Sequence, residues 1–459
     1  MNRTLLLLCS LMLLCLATTA HAANISAGSC SSSDVQAAIN SASSGDTVIV
    51  PSGNCTWTST VTIASKKLRL VGAGIDVTNI TDQGSGGAAL NVTGASATNF
   101  VEVSGFTFTN GGATNHGNGM VQIAGTMFDQ GFRFHHNKVT HSSVGRGLYI
   151  YFLYGVADHN IFEVTGSVGL QTVSIDGSNV GSDGGFTPWK QPLTMGTVNA
   201  VYLEDNTFTN TAAASTGEDT IDTYSGARVV IRHNIFTNAH HGFHGTDSGN
   251  IRSPVSFEIY ENAYTNNTGS AFSGMQIRGG TGVVFNNSYS GSFYGSYNIV
   301  YHRTDGSGNT SAWQNCDGTR WEIGSLDFNA QASRACSTNG GVHFCSGNRD
   351  IPCTGDGTCS ALGAGTCTEF FDTASGSGYP CRDQPGIGPG GQVSAPLYQW
   401  NNTGNAPTFG SSNSLMVANR DYFNGIPKPG YTAFTYPHPL QSGQIDTTKP
   451  AAPRNLTVN

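Results

Sequence analysis

VVIRHNIF (229–236) decides the reading of this chain, because it returns, varied, along the sequence. The variants are FRFHHNKV (132–139), VADHNIF (156–162), VYLEDNTF (201–208), FEIYENAY (257–264) and VVFNNSY (283–289). Each reads apolar-x-apolar, two polar residues, Asn, then an apolar or aromatic position. The asparagines are Asn137, Asn160, Asn206, Asn234, Asn262 and Asn287, with gaps of 23, 46, 28, 28 and 25 residues. One strand-turn-strand unit per repeat of this size is the mark of a solenoid. Asn suits the inside of each bend: it tolerates left-handed backbone angles, and its amide can bond the Asn of the next coil. The expected fold is all-β, a parallel β-helix.

The chain opens with MNRTLLLLCSLMLLCLATTAHA, an apolar run from Leu5 to Leu16 followed by Ala20-His21-Ala22. This reads as a signal peptide over 1–22 and predicts a secreted, extracellular protein; the run is too short for a membrane span, so no membrane insertion is expected. Charged residues are 11% and Gly numbers 60, which describes a β-rich protein rather than a disordered one. The formal charge of −8 becomes −9 without Arg3, so no nucleic acid partner is expected. Nine of the 11 cysteines follow residue 22, and export makes disulfides their default state. Cys345, Cys353, Cys359 and Cys367 lack the close C-x-x-C pairs of zinc knuckles.

SDVQAAINSAS (33–43) predicts a short helix, with Ser33 or Asp34 as N-cap and Val35, Ala38, Ile39 and Ala42 on one face, as cover for the first coil. GDTVIVPSG (45–53), KKLRLVGAG (66–74) and FVEVSGFTF (100–108) supply the first strands. This order, followed by Asn-bearing coils, resembles the pectin lyase-like superfamily of right-handed β-helices over about residues 30–310. That superfamily includes polysaccharide lyases, polygalacturonase-type hydrolases and secreted proteins without known activity. The expected organisation is a β-helix over 23–310 and a Cys-rich extension over 311–440 packed on the C-terminal end of the coils. Residues 441–459 read as a linker or the truncated start of a fibronectin-like module. A monomer is expected.

Period-two alternation separates outward from inward positions. With Val173, Ile175, Ile221, Phe243, Met275 and Ile277 inward, Asp176, Asp222, His244 and Arg278 face out, and three of them share an offset of 16 from the preceding Asn. In register, they would form one vertical row, beside a second of Ser174, Thr220, Gly242 and Gln276. Glu218 and Asp219, and His240, His241 and Asp247, lie close by in sequence. The loop 181–192 brings Trp189 and Lys190, which together with Gln276 and His241 are the candidate sugar contacts. Paired carboxylates can hold a Ca2+ that neutralises a uronate, so Asp176, Asp219 and Asp222 are the candidate Ca2+ ligands. Asp222, His244 and Arg278 are the candidate catalytic residues.

The order Asp, Asp, His, Arg on consecutive coils is similar to polygalacturonases, but SIDG, TIDT, FHGT and IRGG stand where that family carries Asn-Thr-Asp, Asp-Asp, Gly-His-Gly and Arg-Ile-Lys. The resemblance implies a polysaccharide partner and, first, a lyase acting on an acidic, pectate-like glycan, with Arg278 as base or charge stabiliser. The alternatives are an inverting hydrolase and a non-catalytic glycan-binding or matrix protein. A further row, His136, His159, Asp205, His233, Glu261 and Asn286, immediately precedes the asparagines. Parallel side chains on a straight stack do not converge on an ion, so this row reads as a solvated hydrogen-bonded stripe.

Overall fold

A computed structural model describes residues 22–299 and 383–442 apart from short gaps (85–86, 112–118, 143–144, 167–170, 179–185, 212–219, 246–251, 272, 390–392 and 412–415), with fragments between 316 and 378. The expected signal peptide, most of the Cys-rich segment and the terminal segment from 443 lie outside the described residues. Three long parallel sheets of 12, 10 and 10 strands run the length of the molecule, as a parallel β-helix requires. One coil shows the plan: Val201–Glu204 in the first sheet, Thr207–Asn210 in the third, Ile221–Tyr224 in the second, then Arg228–Arg232 back in the first.

The repeated phrase builds each coil twice over. Its Asn side chain donates to the next Asn along a continuous ladder: Asn160 to Asn206 at 2.9 Å, and Asn206 to Asn234, Asn234 to Asn262 and Asn262 to Asn287 at 3.0 Å. Two residues on, Phe162, Phe208, Phe236, Tyr264 and Tyr289 stack inside the coil, successive ring centroids 4.6–4.8 Å apart. That spacing is the strand separation itself, so each ring lies on the one below. The left-handed bend, however, is not at the Asn. It falls one residue earlier, at His136, His159, Asp205, His233, Glu261 and Asn286, with φ between 51° and 58°. The Asn amide serves the ladder, and the residue before it makes the turn.

The N-terminal helix spans Ser32–Ser41 and packs Val35, Ala38 and Ile39 into the same core as Val48, Trp57 and Val61. Its N-cap is Ser31, whose Oγ accepts from the Asp34 amide, rather than Ser33 or Asp34. Cys30 and Cys55 form a disulfide beside it. The coils do not end at the expected residue 310: Leu397–Trp400 and Tyr422–Asn424 continue the first sheet, and the Asn287 amide donates to Asn402 at 3.0 Å. Residues 431–442, expected on the end of the coils, instead form a strap along the outer face of the first sheet. There Tyr202, Val230, Tyr260, Phe285, Trp400 and Leu440 make a second apolar cluster. No helix among the described residues is long and apolar enough to cross a membrane.

Candidate functional site

The strand register places the candidate residues in two neighbouring outward rows on the second sheet. One runs Gln122, Tyr149, Ser174, Asp222, Gly242, Gln276. The other runs Tyr151, Asp176, Tyr224, and continues through His244 and Arg278, whose amides extend the ladder to Thr223 and Phe243. The single row expected from the sequence is therefore corrected. Asp222 stands beside Ser174, in the place expected for Thr220, and is two residues out of step with Asp176. Gly242 adds no side chain, so the first row has a gap between Asp222 and Gln276, with His244 alongside.

Asp222, His244 and Arg278 do come together. Asp222 Oδ2 is 2.9 Å from His244 Nδ1, and an Arg278 Nη is 2.8 Å from the same nitrogen. Nδ1 cannot donate to the carboxylate and accept from the guanidinium at once. The tautomer with its proton on Nδ1 donates to Asp222, and the other accepts there from Arg278; both contacts are charge-assisted. Asp222 and Arg278 are each 1% exposed, while the His244 side chain keeps 15% of its surface. The imidazole is thus the solvent-facing member, supported from beneath by buried charge. Asp222 Oδ1 is buried and has no hydrogen-bond partner among the described residues.

Asp176 lies in a different setting. Its Oδ1 accepts from the Ser178 amide and hydroxyl, both at 2.7 Å, and its Oδ2 accepts from Tyr149 at 3.0 Å. Burial pushes its pKa up to about 6, against the pull of those donors. Burial likewise holds the Tyr149 and Tyr224 hydroxyls protonated, their pKa values raised above the ordinary range. Arg146, half-buried, lies over both rings, at 4.9 Å from the Tyr149 centroid and 5.9 Å from that of Tyr224. Tyr149, Tyr224 and Arg146 were not found by sequence reasoning. The outward parity of Tyr149 and Tyr224 was available, but Arg146 precedes its strand and carries no periodic signal.

The expected sugar contacts divide. Gln276 faces outward and is partly exposed, and Lys190 is exposed. His241 is not on the wall: it occupies the inward position shared by Val173, Ile221 and Met275, is fully buried, and bonds Tyr264 at 2.9 Å. Trp189 is also fully buried, its indole N–H donating to the Ser253 carbonyl at 2.8 Å beneath the Arg252 guanidinium. It packs the loop onto the coil. Asp219 lies outside the described residues.

Of the expected Ca2+ ligands only Asp176 and Asp222 are described; Asp176 accepts hydrogen bonds at both oxygens and Asp222 Oδ2 meets His244. Being two residues out of step on adjacent strands, their Cα atoms are ~8 Å apart.

No family model and no curated protein matches the chain. Among solved structures it is similar to Geobacillus virus E2 ORF18, at 15% identity and TM-score 0.32 over 58% of this chain, and it spans 55% of that protein's length. It is also similar to an alginate lyase from Paenibacillus sp. strain FPU-7, at 18% identity and TM-score 0.36 over 59% of this chain and 97% of the other. Likeness at this level assigns no chemistry to the chain.

Proposed function

We propose that the protein is a secreted lyase that cleaves an acidic polysaccharide on the outer wall of the second sheet. The observation that carries this reading is the Asp222–His244 pair at 2.9 Å, with a buried carboxylate and a partly exposed imidazole. In the tautomer that donates from Nδ1 to Asp222, Nε2 carries the lone pair that acts as the base. In β-elimination that base takes the proton beside the uronate carboxyl group. The C–H electrons form the ring double bond, and the glycosidic C–O bond breaks with its electrons on the leaving oxygen. Arg146 supplies the positive charge that a uronate carboxylate needs to make that proton acidic. Tyr224 packs edge-on against His244 with its ring 6.2 Å away and its hydroxyl buried, and the leaving oxygen takes its proton from water.

A second reading has its own support. Asp176 and Asp222 are two carboxyl groups on adjacent coils of one face, as an inverting hydrolase requires, and Asp176, with its pKa near 6, would be the acid. A panel of pectin, alginate, chondroitin and neutral glycans separates the two. A lyase leaves ultraviolet-absorbing unsaturated uronates, whereas a hydrolase leaves new reducing ends without them. Asp222→Asn and His244→Ala should each lower turnover about 10²–10⁴-fold with the fold intact. No product from any glycan, with polysaccharide still retained on a column, would leave only a binding protein.

A further inference from the structure

We propose that His135 and His136, together with Asp158, form a binding site for a divalent transition-metal ion such as Zn2+, where the first sheet turns into the third. The row preceding the asparagines does stack in parallel, as its spacing implies: the rings of His136 and His159 are 5.0 Å apart and 1° from coplanar. Convergence comes from His135, one residue earlier. It faces outward at the end of the strand Gln130–His135, and the left-handed bend at His136 (φ 51°) swings the next side chain back towards it. The two rings meet at 87°, with their Nδ1 atoms 2.9 Å apart. Two imidazole nitrogens each ~2.0–2.1 Å from one ion are separated by about 2.9–3.4 Å for angles between a right angle and the tetrahedral one. The observed spacing therefore already matches a pair of ligands on a single ion.

The surrounding groups orient that pair. On the preceding coil, Glu102 Oε1 lies 2.9 Å from His135 Nε2. Arg69 pairs with the same carboxylate through two contacts of 3.0 and 3.1 Å. An ionised carboxylate accepts from Nε2–H, so His135 Nδ1 presents its lone pair to the shared point, as in carboxylate–histidine–metal arrangements. A ligand oxygen of Asp158 lies within 4.8 Å of both ligand nitrogens. Asp158 is fully buried and gripped by Arg133 through two contacts of 2.9 and 2.8 Å, which fix its direction. His136 and His159 are exposed, so an ion has a path in and water can complete the coordination. His233, in the same row, has no such neighbour: Arg232 precedes it, Tyr436 stacks on it at 3.6 Å and Glu261 binds it at 2.9 Å.

The test is calorimetric titration of Zn2+ into the full-length, metal-stripped chain with any affinity tag removed. One site per chain is expected. His135→Ala and His136→Asn should weaken it by more than the about 10–100-fold expected of Glu102→Gln, while His233→Asn leaves it unchanged. Asn is chosen at 136 because Asn286 already makes the same bend in a later coil, at φ 54°, so this variant keeps the turn if His135→Ala unfolds. Absence of Zn2+ binding, or binding that His136→Asn and Glu102→Gln leave untouched, overturns the proposal. In that event the 2.9 Å contact is an ordinary N–H···N hydrogen bond between neutral rings.

Discussion

Glu258 gives the strap along the first sheet a pH dependence that can be worked out from its contacts. The side chain is 3% exposed; its Oε1 accepts from the Gly196 amide at 2.9 Å and its Oε2 accepts from the Tyr431 hydroxyl at 2.5 Å. Burial outweighs these donors and pushes the carboxyl pKa up from 4.5 to about 7. With the folded value raised, the native state holds a proton that the unfolded chain has already released. The group's contribution is full below the unfolded pKa and is lost as pH rises through about 7. Between about pH 5 and pH 8 the loss is on the order of 2 kcal/mol. Glu258→Gln removes the titration while keeping both contacts, because Oε1 still accepts from Gly196 and the amide can donate to a reoriented Tyr431 hydroxyl. Urea unfolding of both proteins across this range, with susceptibility of the strap to proteolysis in parallel, should show the wild type losing ground to the variant as pH rises. A constant difference between the two would show that Glu258 is ionised throughout and that its burial is compensated by other charge.

Two further outcomes follow from contacts already described. Asn206→Ala removes the acceptor of the Asn160 amide and the donor to the Ala157 carbonyl, both in the interior. Leaving these groups unpaired should lower stability by roughly 2–5 kcal/mol in denaturant unfolding, far more than removal of an exposed Asn. Tyr149→Phe takes away a donor that holds the Asp176 carboxyl down. The Asp176 pKa should then rise above about 6, read from the protonated-carboxyl infrared band as a function of pH; a fall would reverse the assigned role of the hydroxyl.

The coil was legible because its signals are local and repeated. Amide-to-amide bonding needs Asn, so Asn137 through Asn287 marked every turn they serve, and the aromatic two residues on marked the inner stack. The outer wall was legible only in parity. Ile175, Ile221 and Phe243 face inward as expected, which places Asp222 and His244 outside. The shared offset of 16 then aligned Asp176 with Asp222, and this was an error of two residues. A slip of two leaves every side chain on its own face, so alternation cannot detect it. The segment joining the third sheet to the second varies in length from coil to coil, as Asn234 to Gly242 against Asn206 to Asp222 shows, and only the pairing of the strands fixes the register. His241 failed for a different reason: a polar side chain at an inward position is disguised by its type, and its partner Tyr264 is 23 residues away.

Buried charge alone does not distinguish a site from a scaffold in this molecule, because both outer faces carry it. On the first sheet Glu204, Arg232 and Glu258 are covered, and the strap meets their hydrogen-bonding needs: Arg232 donates to the carbonyls of Phe434 and Thr435, and Glu204 accepts from the amide of His438. These charges serve to hold a segment of the same chain, and loss of either partner would be expressed as instability. On the second sheet Asp222 spends one oxygen on His244 and has no described donor for the other, next to a position that Gly242 leaves without a side chain. A buried carboxylate oxygen costs about 1–3 kcal/mol when it is left without a donor. Folding gains nothing from that arrangement, whereas an incoming hydroxyl would recover the cost on binding. Arg228 Nε on the first sheet is likewise buried without a described partner, so an unmet hydrogen-bonding requirement occurs on both faces and does not by itself mark the one that takes a substrate.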